Sequence, residues 1–182
     1  MPRPARGSGR TGRRCGDPMT SRRQVLTVVG SGLVLAPLVA WVSGPAAARP
    51  AGPFPVAYDD AEWRARLSND QYRVLRRGAT ERPGTSALTH ETREGVFACA
   101  GCGHRLFASA TKYDSGTGWP SFQAPLDGGV GTAVDRSYFM VRVEVYCARC
   151  GGHLGHVFDD GPPPTGRRYC INGAALRFQA GG

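Results

Sequence analysis

Acidic residues are almost missing from the first 48 positions. Asp17 is the only one of the chain's 14 acids found there, against seven of its 23 basic residues. The formal net charge of +9 over 182 residues therefore belongs mostly to this leader. From residue 49 onward 16 basic residues face 13 acidic ones, a balance of +3, which excludes a large polyanion-binding footprint and with it a nucleic-acid partner. No strand–helix–strand pattern surrounds any C-x-x-C pair, which speaks against a thioredoxin-type redox domain. Past residue 42 the apolar runs are short, and after residue 95 glycines separate them.

The leader has an order of its own. "SRRQVL" (21–26) precedes the apolar run "VLTVVGSGLVLAPLVAWV" (25–42), and Ala46-Ala47-Ala48 supply small residues before a cleavage point, the arrangement of an export signal. Ser21-Arg22-Arg23 resembles a twin-arginine signal, with Val25 where Phe is more usual. Residues 1–48 are thus expected to be an export leader directing the protein out of the cytoplasm. The alternative is an uncleaved membrane anchor, since 18 residues just suffice to span a bilayer. Met19 offers an alternative start. Residues 49–57, rich in Pro, Gly and Ala, read as a linker, and residues 58–182 as one domain.

Within that domain, acids ahead of Trp63 and a Ser68 or Asn69 cap ahead of Tyr72, Val74 and Leu75 predict two short helices, ended by Gly78 and Pro83. In "SYFMVRVEVYC" (137–147), Phe139, Val141, Val143 and Val145 alternate with Met140, Arg142, Glu144 and Tyr146, which predicts a strand. The expected fold is mainly antiparallel β, two small sheets around a knuckle pair, with short N-terminal helices.

Six cysteines are present, and their spacing sorts them. "CAGCGHRL" (99–106) repeats as "CARCGGHL" (147–154), so Cys99, Cys102, Cys147 and Cys150 form two C-x-x-C-Gly knuckles. Such turns aim two thiolates at one ion, and two of them make a closed, structural Cys₄ zinc site with one Zn²⁺ per chain. Two disulfides, or a local site built from Cys147, Cys150, His153 and His156, are weaker readings, because the second would leave Cys99 and Cys102 without a role. Cys15 lies in the leader, which leaves Cys170 without a partner.

Strand alternation would put Arg168, Cys170 and Asn172 on one face and Tyr169 and Ile171 in the core. A cation beside a thiol lowers its pKa, and the Asn amide can donate to it. Upstream, His153 and His156 stand near Asp159 and Asp160, acids able to hold a tautomer. In "YDSGTGWPSF" (113–122), glycines and Pro120 frame Trp119, as a displayed indole would require.

Together "KYDSGTGWPSF", the two knuckles and "HLGHVFDDGPPPTGRRYCINGAALRF" resemble the methionine-R-sulfoxide reductase family, in order across residues 60–178. The resemblance implies that Cys170 attacks the sulfoxide sulfur and becomes a sulfenic acid. Trp119 would hold the substrate methyl, and His153, His156, Asp160, Arg168 and Asn172 would organise water and proton donors. It also implies R-epimer specificity, oxidised proteins as substrates, a monomer, and zinc on the four knuckle cysteines, and leaves open whether free methionine sulfoxide is accepted. Thr117 occupies the place where many members carry a recycling cysteine, so the reductant is expected to be an external small thiol or a thioredoxin-like protein. Gly173 stands where Ser is common, and "GATERPGTSAL" (78–88) is a loose version of the family's segment. A non-catalytic zinc-ribbon binding module and a thiol–disulfide oxidoreductase are the rival readings.

Overall fold

The computed structural model describes residues 53–181; the expected export leader lies outside them. Two short helices open the domain, α1 (Asp60–Arg66) and α2 (Asn69–Arg77). Each starts at a reciprocal cap. Glu62 N–H donates to Asp59 at 2.7 Å and Asp59 N–H to Glu62 at 3.0 Å; Ser68 and Gln71 repeat the pattern. Gly78, with φ 65°, closes α2 in the left-handed region. Trp63, Tyr72, Val74 and Leu75 form the buried face of this pair. Among the described residues no helix is long and apolar enough to cross a membrane.

The rest is antiparallel β. β1 (Gly95–Cys99), β2 (Arg105–Ala108) and β9 (Leu176–Ala180) form a three-stranded sheet in the order β2-β1-β9. β3 (Lys112–Tyr113), β4 (Ser121–Phe122), β5 (Val130–Asp135), β6 (Arg142–Cys147), β7 (His153–Phe158) and β8 (Arg168–Ile171) form a six-stranded sheet in the order β3-β4-β8-β7-β6-β5. Phe97, Phe107 and Phe122, all fully buried, join the sheets: Phe107 stacks on Phe122 at 4.4 Å between ring centres and Phe97 meets Phe122 edge-on at 5.0 Å. Each such ring contributes roughly 2–3 kcal/mol by burial alone.

One local expectation needs correction. The strand foreseen from Phe139 begins only at Arg142, because pairing of β5 with β6 ends at Asp135↔Arg142. Residues 136–141 are therefore the connection between the two strands, where alternation of apolar residues has no sheet to act on. Ser137–Phe139 is a 3-10 turn with Phe139 at φ 59°, and Phe139, Met140 and Val141 are exposed. The described part of the expected linker packs on the domain. Val56 N–H donates to the Arg149 carbonyl at 3.0 Å, and the Phe54 ring meets Tyr146 edge-on at 5.8 Å where it covers Gly151.

Candidate active site

The register of the larger sheet lines up one transverse row: Tyr113, Ser121, Cys170, His156, Glu144 and Ala133 are successive partners on β3, β4, β8, β7, β6 and β5. Directly opposed residues share a face, so the Cys170 thiol and the His156 ring point to the same side. Gly155 makes the close approach of β7 and β8 possible, since a Cβ there would stand 2.1 Å from the Cys170 carbonyl oxygen.

His153 and His156 are three residues apart, so plain alternation would send them to opposite faces. The ladder between β6 and β7 shifts between Val145↔Gly155 and Tyr146↔His153, and this irregularity turns both rings to one side, 5.4 Å apart. Each ring is held by a carboxylate. His153 Nδ1–H donates to Glu144 at 2.6 Å, and His156 Nε2–H donates to Asp135 at 2.8 Å. Arg142 donates to the same Asp135 oxygen at 2.8 Å. The two histidines are thus gripped by opposite nitrogens. His153 Nε2 is buried with no partner among the described residues, and both rings line a cleft of about 660 Å³ with Asp135, Arg142 and Glu144. Burial pushes His156 below its ordinary pKa against the pull of Asp135. Burial would raise Asp135, but hydrogen bonds from Ser137 and His156 and the charge of Arg142 carry it well below the usual carboxylate range.

The acids that hold the histidines are therefore Glu144 and Asp135, and not the neighbouring Asp159 and Asp160 that the sequence suggested. Both lie on other strands, and nothing in local spacing announces them. Asp160 instead takes Arg168 in a two-point clamp, with Nε and Nη2 donating at 2.9 and 2.8 Å, while the guanidinium lies 4.5 Å from the Phe158 ring centre.

Cys170 is half-buried on β8. Burial pushes its thiol above the ordinary value, and Thr117 and Arg168 oppose the shift. Arg168 lowers it as expected, by charge and by a hydrogen bond, but burial outweighs both. Thr117 Oγ1 lies 3.9 Å from the Cys170 sulfur.

Asn172 follows β8 in extended conformation, φ −62° and ψ 125°, one residue before a 3-10 turn. Only 3 % exposed, Asn172 donates its side-chain amide to the Leu154 carbonyl at 2.9 Å and accepts Glu81 N–H at 2.9 Å. Glu81, a residue the sequence did not single out, takes the N–H groups of Gly173 and Ala174 at 2.6 and 2.8 Å. Its own carbonyl accepts the Trp119 indole N–H at 3.2 Å. The Ser86 hydroxyl fills the space where a side chain at Gly173 would begin.

The four knuckle cysteines converge on one point. Their sulfurs all lie within 4.8 Å of one another, with Cys99–Cys150 at 3.7 Å and Cys102–Cys147 at 3.6 Å. The same turn closes both knuckles: Gly103 N–H donates to the Cys99 carbonyl and Gly151 N–H to the Cys147 carbonyl, both at 2.9 Å, with φ 72° and 66°. Disulfides would need sulfurs about 2.05 Å apart. Four thiolates around one ion at about 2.3 Å would be separated by about 3.8 Å, which these distances match. The set could hold a metal ion, and His153 and His156 stand outside it, engaged with carboxylates.

A model of the SelR domain matches residues 67–180. Among the relatives are three proteins called peptide methionine sulfoxide reductase MsrB. That of Hahella chejuensis is 52% identical over 126 residues, covering 69% of this chain and 91% of its own. That of Leptospira interrogans is 52% identical over 127 residues, 69% and 97% of the two chains. That of Methylibium petroleiphilum is 55% identical over 128 residues, 70% and 93%.

Proposed function

Because the chain belongs to the SelR family of methionine-R-sulfoxide reductases, we propose that Cys170 is the nucleophile of the family's reaction. That reaction is the thiol-dependent reduction of methionine-R-sulfoxide to methionine. One observation carries the assignment: the sheet register sets a half-buried thiol directly opposite His156, whose far nitrogen a carboxylate holds.

The Cys170 thiolate sulfur attacks the sulfoxide sulfur, the sulfoxide oxygen takes one proton through the site and passes to Cys170 as its bond to the methionine sulfur and the transient sulfur–sulfur bond break, and the product pair is methionine and Cys170 sulfenic acid. Sulfoxide and thiol go in, thioether and sulfenic acid come out, two electrons passing from the cysteine sulfur. His153 and His156 hold water and relay the proton to the departing oxygen. Arg168, fixed by Asp160, orients the polar end of the substrate, and Trp119 walls the methyl group. Asn172 acts through the backbone it ties down, as a positioning residue.

An external thiol then condenses with the sulfenic acid to give a mixed disulfide and water, and a second thiol releases Cys170. Four of the other cysteines sit in the cluster and Cys15 in the leader, so a small thiol or a thioredoxin-like protein supplies both thiols. Zn²⁺ on Cys99, Cys102, Cys147 and Cys150 leaves no open position and contributes to folding alone. The substrates are oxidised proteins and free methionine sulfoxide, met outside the cytoplasm by a monomer that the twin-arginine-like leader exports, or that an uncleaved leader anchors.

Turnover of the separated epimers of a blocked methionine sulfoxide with dithiothreitol tests this reading. It requires consumption of the R epimer alone and an inactive Cys170→Ser; consumption of the S epimer, or activity in the variant, overturns it.

A further inference from the structure

Three hydroxyls form an unbroken line that ends on the Cys170 sulfur. Ser121 Oγ, fully buried on β4, is 2.7 Å from Ser115 Oγ. Ser115 Oγ is 2.9 Å from Thr117 Oγ1, which is 3.9 Å from Cys170 Sγ. At the far end Ser121 Oγ also reaches the Trp119 carbonyl oxygen at 3.3 Å. The fold builds this line: Ser121 is the register partner of Cys170, and the 114–120 segment doubles back so that Ser115 and Thr117 bridge the pair.

Counting hydrogens shows what the line can do. With Cys170 as a thiol, four hydrogens serve four contacts, running from S–H to Thr117, Ser115, Ser121 and finally the Trp119 carbonyl. With Cys170 as a thiolate, three hydrogens remain. The arrangement that gives the sulfur a donor is the reverse one, Ser121 to Ser115 to Thr117 to sulfur, and it gives up only the 3.3 Å contact to the carbonyl. The hydroxyl hydrogens swing about their C–O bonds and no heavy atom has to move.

We propose that this reversible hydroxyl line stabilises the Cys170 thiolate, Thr117 touching the sulfur and Ser115 and Ser121 acting as positioning residues behind it. The inference rests on Cys170 being the nucleophile and names what favours its reactive form. Three other groups face Cys170. Arg168, on its own strand, is clamped by Asp160; His156, across β7, is turned to Asp135; Tyr113, on β3, is a phenol that burial keeps neutral. Thr117 and Arg168 both oppose the burial of the thiol, and the Thr117 hydrogen bond is the largest single contribution of these.

The test is the pH dependence of Cys170 alkylation by iodoacetamide in the intact, metal-loaded chain, followed on the Cys170 peptide so that cluster thiols do not contribute. Thr117→Val is expected to slow alkylation at pH 7 about fivefold to tenfold by raising the pH of half-maximal rate, and Thr117→Ser to restore it. Ser115→Ala, which removes no atom in contact with the sulfur, is expected to slow it about twofold to fivefold and to add nothing to Thr117→Val. A wild-type profile for Ser115→Ala, or its full effect on top of Thr117→Val, overturns the line. The readout is independent of turnover: the expected profiles in a chain that consumes no methionine sulfoxide would leave the line standing and remove the reductase reading.

Discussion

Arg168 gives its guanidinium to Asp160: two donors meet two carboxylate oxygens at 2.9 and 2.8 Å, and the same cation favours ionisation of Cys170. Asp160 itself works against ionisation of Cys170. Asp160→Asn should therefore raise the alkylation rate of Cys170 at neutral pH, by about twofold to threefold given the exposure of the pair. It should lower turnover at the same time, because Arg168 loses the clamp that aims it. Parallel alkylation and epimer-turnover rates on the one variant check the opposite signs.

Glu81 ties three segments together, with its carboxylate on Gly173 and Ala174 N–H, its amide on Asn172 and its carbonyl on Trp119. Glu81→Gln keeps the backbone contacts and one acceptor but loses a charge-assisted pair, at a cost of about 1–3 kcal/mol. Urea unfolding should show that loss, with an increase in KM as the Trp119 and Asn172 segments loosen.

Acid should weaken the fold before it reaches ordinary carboxylates. The folded pKa of His156 is lowered, chiefly by burial, so below about pH 6.5 the unfolded chain takes up a proton that the folded one refuses. Stability rises with pH across that window and is lost below it. Asp135, also lowered in the fold, contributes stability that is complete above about pH 4 and is lost as pH falls further. Urea midpoints at pH 7.5, 6 and 5 should fall in that order, and His156→Gln should flatten the upper part of the profile.

The cluster geometry predicts one zinc ion per chain and a fold that depends on it. Chelation should lower the melting temperature by more than 10 °C, since structural zinc contributes folding energy directly in domains this small. Cys102→Ser should bind less than one equivalent and melt early. Metal analysis and calorimetry on the same samples check both.

The residues that act through short spacing were legible from the chain. The two knuckles repeat, so their four cysteines group by spacing alone, and the acids ahead of Trp63, the Ser68 or Asn69 cap and Gly78 mark the helix ends by local chemistry. What escaped depends on long-range pairing. Glu144 and Asp135 reach the histidines across β6 and β5 through a register shift that no spacing rule reveals. Glu81 meets Gly173 from 92 positions away. Phe139 was misplaced because apolar alternation does not say where a partner strand stops.

The most direct measurement is a single turnover without reductant. With excess methionine-R-sulfoxide and no added thiol, the account predicts one equivalent of methionine per chain and a dimedone-trapped sulfenic acid on Cys170, with all four cluster cysteines still holding metal. Metal release together with a disulfide between Cys170 and a cluster cysteine, or a sulfenic acid on any other residue, would contradict it.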